Sequence, residues 1–208
     1  MCPRTKEQNE QIRKKRMFQI RRVAAEVYLQ KGLRMEIGDI AQKAGIGRGT
    51  IYHYYNNKIA LLEDLLLDAL QEAKQLTEET LKGNGCPAKR LEAYARAQLS
   101  TWMEQPFIFI LYKNFFQDHE PLPINNSQEL ERQVRVELYT PVMNTIREGT
   151  ASDKLADVGE ETAVEWFFGT LIGTAAIHLS KKESGLKNHD HIKWVDDVMS
   201  ILWNGLQR

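Results

Sequence analysis

The residues best equipped for chemistry crowd between Arg48 and Lys58: Arg48, Gly49, Thr50, Tyr52, His53, Tyr54 and Lys58. Placed on a helix at 100° per residue, Ile51 and Tyr55 fall on one side and pack inward. Gly49, Thr50 and His53 fall on the other, flanked by Tyr52 and Tyr54. Gly allows close backbone approach. Thr, Tyr and His offer hydrogen-bonding groups, and Thr also offers a methyl. These are properties that suit the edges of base pairs in a DNA groove. Arg48 and Lys58 bracket that face, where phosphates would lie.

Other chemistries fail on spacing. Gly45-x-Gly47-x-Gly49 lacks the preceding strand and the G-x-G-x-x-G order of a nucleotide loop. A di-metal helical bundle needs Glu-x-x-His, yet the residues three before His53, His119, His178, His189 and His191 are Thr50, Phe116, Ala175, Leu186 and Asn188. His189-x-His191 reads as a solvated pair. Cys2 and Cys86 form no CxxC or Cys/His pattern, so neither a zinc site nor a disulfide frame is indicated. With no nucleophile motif either, the expectation is a protein that is not an enzyme and uses no metal or cofactor.

The elements that must position these side chains read as helices throughout. Ile20, Val23, Ala24, Val27 and Tyr28 make one apolar stripe in a helix over 10–31, stopped by Gly32. A short amphipathic helix near 37–44, the turn Gly45-Ile46-Gly47 and a helix over 48–55 have helix-turn-helix spacing. A long helix covers 58–81, and the linker Lys82–Pro87 breaks the chain. Helices follow near 88–104, over Pro106–Phe116 (whose Phe107–Tyr112 run could by composition be a strand), over 127–148 with a kink at Pro141, over 160–181 and over 190–206. The fold class is all-α, with about nine helices. Residues 1–57 form a basic three-helix DNA-binding head, of which 1–9 are expected to be disordered. Residues 58–208 form a helical bundle for effector binding and dimerisation.

Charge follows the same division. The 208 residues carry 28 Lys/Arg and 28 Asp/Glu. Residues 1–60 hold 13 Lys/Arg against 5 Asp/Glu, including the run Arg13–Arg16, and the remainder is acidic by the same margin. The first part fits a polyanion partner, double-stranded DNA. No secretory h-region opens the chain. The uncharged stretch Trp166–Ser180 spans only about 22 Å as a helix against the roughly 30 Å bilayer core, so a cytoplasmic protein is expected.

Residues 16–62 resemble the DNA-binding domain of the TetR family of bacterial transcriptional regulators. The resemblance rests on Ile20-x-x-x-Ala24-x-x-x-Tyr28-x-x-x-Gly32, on Asp39-Ile40-Ala41-x-x-Ala44-Gly45-Ile46, and on Gly49-Thr50-Ile51-Tyr52-x-Tyr54-Tyr55-x-x-Lys58-x-x-Leu61. It covers about a quarter of the chain and implies that Thr50, Tyr52, His53, Tyr54 and Lys58 contact DNA. Three positions depart from the family pattern. Gly47 replaces a capping Ser at the recognition helix. Glu36 replaces a capping Ser or Thr, favouring the helix dipole but repelling phosphate. Tyr55 replaces a Phe.

In the body, the resemblance implies an effector pocket and a four-helix dimer interface. Phe107, Phe109, Tyr112, Phe115 and Phe116 concentrate aromatics, and the candidate effector contacts are Trp102, Phe109, Tyr112, Phe116, Tyr139, Trp166, Phe167 and His178. That composition favours an apolar or flat aromatic effector, with room for a cation over the rings. The candidate dimer seam combines Gly169, Gly173 and Ile177 with Ile192, Val195, Met199, Leu202 and Leu206, the last five spaced 3, 4, 3, 4. The expected function is a ligand-responsive regulator of transcription, a repressor in most such proteins, that binds an inverted-repeat operator as a homodimer and is released by a small molecule. The alternative keeps the DNA head and gives the bundle a protein partner.

Overall fold

The computed structural model describes residues 5–118, 122–152, 154–155, 157–183 and 191–206. Among them every regular element is helical. Helix α1 (Lys6–Lys31) starts earlier than expected. Thr5 and Gln8 exchange side-chain and backbone hydrogen bonds in a capping box, so residues 6–9 are helix rather than tail. It ends at Gly32, whose φ of 58° is open to glycine at no steric cost. A single 3₁₀ turn (Gly32–Arg34) leads to α2 (Ile37–Ala44). Gly45 closes α2 in the left-handed region at φ 65° and turns the chain into α3 (Arg48–Tyr52). The backbone stays tightly wound past α3, with Tyr55 N–H bonding the Ile51 carbonyl at 2.9 Å.

Helix α4 (Lys58–Leu81) begins at Asn57, whose side-chain oxygen accepts from Ala60 N–H at 2.8 Å. Ile20, Ala24, Ile40, Ile51 and Leu61 are fully buried and hold the first helices together. A polar clamp reinforces them from the side. Arg21 reaches Asp64 and Asp68 of α4, both at 2.9 Å, and the Tyr55 hydroxyl donates to Asp64 at 2.6 Å.

Beyond Cys86, Pro87 and Pro106 occupy first-turn positions of α5 (Pro87–Glu104) and α6 (Pro106–Lys113), where a missing N–H costs nothing. Phe107–Tyr112 is helix, buried on every side. That explains why its composition reads equally well as a strand: neither face is polar. Helix α6 lies against α1, α4 and α5, while α5 packs on α4 and on the three later helices over Thr140–Ala151, Glu160–Glu183 and His191–Leu206. The apolar core runs without interruption from head to body.

Two helices carry widened π-turns. One continues α6 over Asn114–Asp118. The other, Arg135–Tyr139, joins α7 (Ser127–Val134) to α8 (Thr140–Ala151). This second turn lies where a kink at Pro141 is expected. Pro141 cannot donate to the carbonyl of Glu137, and the widened turn lets the N–H of Thr140 reach the carbonyl of Arg135 instead. The Thr140 hydroxyl donates to the same oxygen at 2.9 Å. Helices α9 (Glu160–Glu183) and α10 (His191–Leu206) complete the bundle. No helix among the described residues is long and apolar enough to cross a membrane.

Candidate nucleic-acid interface and effector cavity

Helix α3 presents the face expected of it. Ile51 and Tyr55 are buried, while Arg48, Gly49, Tyr52 and His53 are exposed and Thr50, Tyr54 and Lys58 half-buried. His53 and Tyr54 pack edge to face with ring centroids 5.1 Å apart, which limits the freedom of both rings. Arg48 folds across α2 at Gly38, where a Cβ would come within 2.6 Å of its guanidinium. The glycine is therefore what allows that arginine to lie over the short helix.

Lys58 has a second occupation. Its ammonium donates to the carbonyls of Leu33 and Met35, each at 3.2 Å, and to the Glu36 carboxylate at 2.8 Å. The lysine thus fastens the connection between α1 and α2 to the start of α4. Glu36, expected to repel phosphate, lies directly against the cation expected to attract it. The Glu36 N–H is held in turn by Asp39 at 3.0 Å, and Asp39 pairs with Lys31 at 2.7 Å. These two contacts, the salt bridge first, hold the Asp39 carboxyl below its ordinary range.

In the body, a cavity of about 460 Å³ opens between α7, α9 and both π-turns. Phe115 and Phe116 enter it from the first π-turn, Arg135 and Tyr139 from the second. Glu131 and Val134 come from α7, and Glu165, Phe168 and Gly169 from α9. Three rings are nearly parallel. Phe116 stacks on Phe168 at 4.4 Å and 15°, Tyr139 lies 6.2 Å from Phe116 at 14°, and Tyr139 lies 6.4 Å from Phe168 at 19°. The Tyr139 hydroxyl is raised above its ordinary pKa by burial first, then by the carboxylates of Glu161 and Glu165, against the opposing charge of Arg135.

One continuous element links cavity and head. Asn114, the first residue of the first π-turn, accepts from the Tyr28 hydroxyl of α1 at 3.1 Å in a buried contact. At the other end of α6, Phe107 meets Phe18 of α1 edge to face at 6.4 Å. A smaller cavity of about 190 Å³, lined by Tyr28, Gly32 and Asn114 among others, lies at the same seam.

The model of the family described as bacterial regulatory proteins, tetR family, matches residues 20–65, the stretch that builds this head. Over those residues the chain is similar to the TetR family. It is 36% identical over 98 residues to a protein described as a probable HTH-type transcriptional regulator, ArpR, of Pseudomonas putida, covering 44% of each chain. It is 40% identical over 73 residues to the HTH-type transcriptional regulator TtgR, also of Pseudomonas putida, covering 35% of this chain and 32% of the relative. The matched stretches therefore span less than half the length of these relatives. Among solved structures, the transcriptional regulator FadR from Bacillus subtilis in complex with stearoyl-CoA superposes with a TM-score of 0.61 at 19% identity. The match covers 90% of this chain and 97% of that one, a likeness of fold. The family and these relatives are regulators of transcription rather than enzymes.

In the body, the residues expected to meet an effector separate into groups. Phe116 and Tyr139 line the cavity. Trp102, Phe109, Tyr112 and Phe167 are at most 1% exposed and fill the core behind it, with Trp102 5.4 Å from Phe109 and 5.0 Å from Tyr112. Trp166 points outward. His178 packs elsewhere, stacked on Trp194 at 4.1 Å and hydrogen-bonded to His191 at 3.2 Å. Sequence reasoning missed Glu131, Val134, Arg135, Glu165 and Phe168 as cavity residues. Glu165, a lone acid inside an apolar helix, was the available signal.

The expected dimer seam divides as well. Gly169, Gly173, Ile177 and Ile192 are on open surface or beside it, and nothing lies within 4 Å of a Cβ built on either glycine. Val195, Met199 and Leu202 are instead buried in the protomer's own core, because that stripe of α10 packs on α5. The side chain of Leu206, like His189, lies outside the described residues. The outward apolar face adds Trp166 and Ile201, which the 3-4 spacing does not mark. Among the described residues, no three His, Cys, Asp or Glu side chains converge as metal ligands would.

Proposed function

We propose that this chain is a ligand-responsive repressor that binds an inverted-repeat operator as a homodimer and lets go when a small apolar or aromatic effector enters the body. The observation that carries this reading is the path from cavity to head. Phe115 and Phe116 form one wall of the cavity and directly follow Asn114, which is bonded to Tyr28 of the DNA-binding domain. A ligand that binds one arrangement of the π-turn better than another biases the position of α1 by its differential affinity for the two.

Arg48, Gly49, Thr50, Tyr52, His53, Tyr54 and Lys58 form the DNA surface in this reading. The open face of α9 and α10 pairs with its copy, which places two recognition helices one DNA turn apart. The operator and the protein then meet in the bacterial cytoplasm. A cavity of this size favours a small molecule over a protein partner in the body. The test is selection of bound duplexes from a random pool by the purified protein. An inverted repeat should emerge, and Tyr52→Ala, at a side chain that is 52% exposed, should weaken binding at least tenfold with unchanged melting. Selection of no repeat, or undiminished binding by the variant, would refute the assignment.

A further inference from the structure

We infer that the effector cavity selects a flat aromatic cation. This rests on the effector reading above and narrows it to one ligand chemistry. Flatness comes from the walls: Phe116, Phe168 and Tyr139 hold nearly parallel planes, along which a planar ring system can lie. Ring faces attract cations through their quadrupole, most strongly where water is displaced.

The sign of the charge comes from the carboxylates. Glu131 and Glu165 line the cavity from α7 and α9, and no ion pair occupies them among the described residues. Two acids on the same helical stretch are committed elsewhere: Glu129 is held by Arg132 at 2.7 Å and Glu137 by Lys74 at 2.9 Å. Arg135 is the one cation on the cavity wall among the described residues, set against two free carboxylates. Burial first, and then Glu161 and Glu165, raise the pKa of Tyr139 against the opposing charge of Arg135, which places Glu165 and Arg135 in opposition at that ring. A neutral ligand leaves both acids uncompensated, and an anion meets their repulsion.

The experiment compares two ligands of one shape, N-methylacridinium and acridine, at a pH where acridine is uncharged. Binding to the free full-length protein is followed by titration calorimetry. N-methylacridinium should bind about tenfold or more tighter than acridine at low salt. The double variant Glu131→Gln, Glu165→Gln, at two exposed side chains, should lose that preference while keeping its melting temperature and its affinity for acridine. Arg135→Gln should tighten the cation and leave acridine unchanged. Equal binding of the two ligands, an unaltered preference in the double variant, or no binding of the cation would each overturn the inference. Release of DNA is read separately on the operator complex. A cation that binds through the two acids without releasing DNA would refute the effector reading and leave the ligand chemistry standing.

Discussion

Lys58 shows how one side chain can serve two demands that spacing cannot separate. Its position after the aromatic run marks it as a phosphate contact, and its ammonium is also the fastener between Leu33, Met35 and Glu36. Glu36 therefore offsets the charge of a cation beside the proposed DNA surface. Replacing Glu36 with Gln should strengthen DNA binding at low salt and steepen the slope of log K against log salt by up to about 0.9, the contribution of one added phosphate contact. A slope identical to that of the parent protein would show that Lys58 never reaches the backbone. Glu36 and Lys58 stand twenty-two residues apart in the chain, and the contact exists only because α2 and α4 are brought together.

Among the elements, α7 and α8 owe their ends to single residues. Glu129 lies in the first turn of α7, bonded to Arg132 and Gln133, and these hydrogen bonds lower its pKa from 4.5 to about 2. A carboxyl whose folded pKa is depressed contributes stability above its unfolded value and loses it as pH falls toward the folded one. Between about pH 4.5 and 2 the parent protein should therefore lose stability that Glu129→Gln lacks at every pH. Acid titration by circular dichroism should show the two curves converging as pH falls. Parallel curves would refute the role.

Gly149 of α8 is required by volume. A Cβ there would overlap the side chain of Leu155, which is 2% exposed. Gly149→Ala should cost roughly 1–3 kcal/mol through overpacking, seen as a melting point lower by several degrees. Gly38→Ala meets only the tip of Arg48 and should leave melting nearly unchanged while altering DNA affinity. The contrast separates a glycine needed by the core from one needed by the interface, and thermal melts of the two variants decide it.

For the whole molecule, the outward face of α9 and α10 is the feature a single protomer does not explain. Ile177 is 61% exposed, Ile192 and Ile201 each 75%, and Trp166 40%. Isolated exposed apolar residues are ordinary; four of them on α9 and α10 are the surface that the proposed dimer would cover. Sedimentation should give a species of twice 24.0 kDa, and Ile177→Asp should shift it to the monomer and reduce operator affinity at least tenfold. A monomeric parent protein would refute the dimer. Gly169 of α9 also lines the cavity, so the proposed dimer face and the proposed effector site share one helix.

Sequence alone determined the helices, the helix-turn-helix and the inward side of α3. These follow from the 3.6-residue period and from local caps and turns, which act between residues a few positions apart. Tertiary structure decided which aromatic rings form a cavity and which fill the core. Trp102, Phe116 and Phe167 are alike in composition, and only their neighbours from other helices leave one beside open space. It also decided that Val195, Met199 and Leu202 face inward while Ile192 and Ile201 face out. A 3-4 spacing says that a helix has a packing stripe but not whether its partner is the same chain or another.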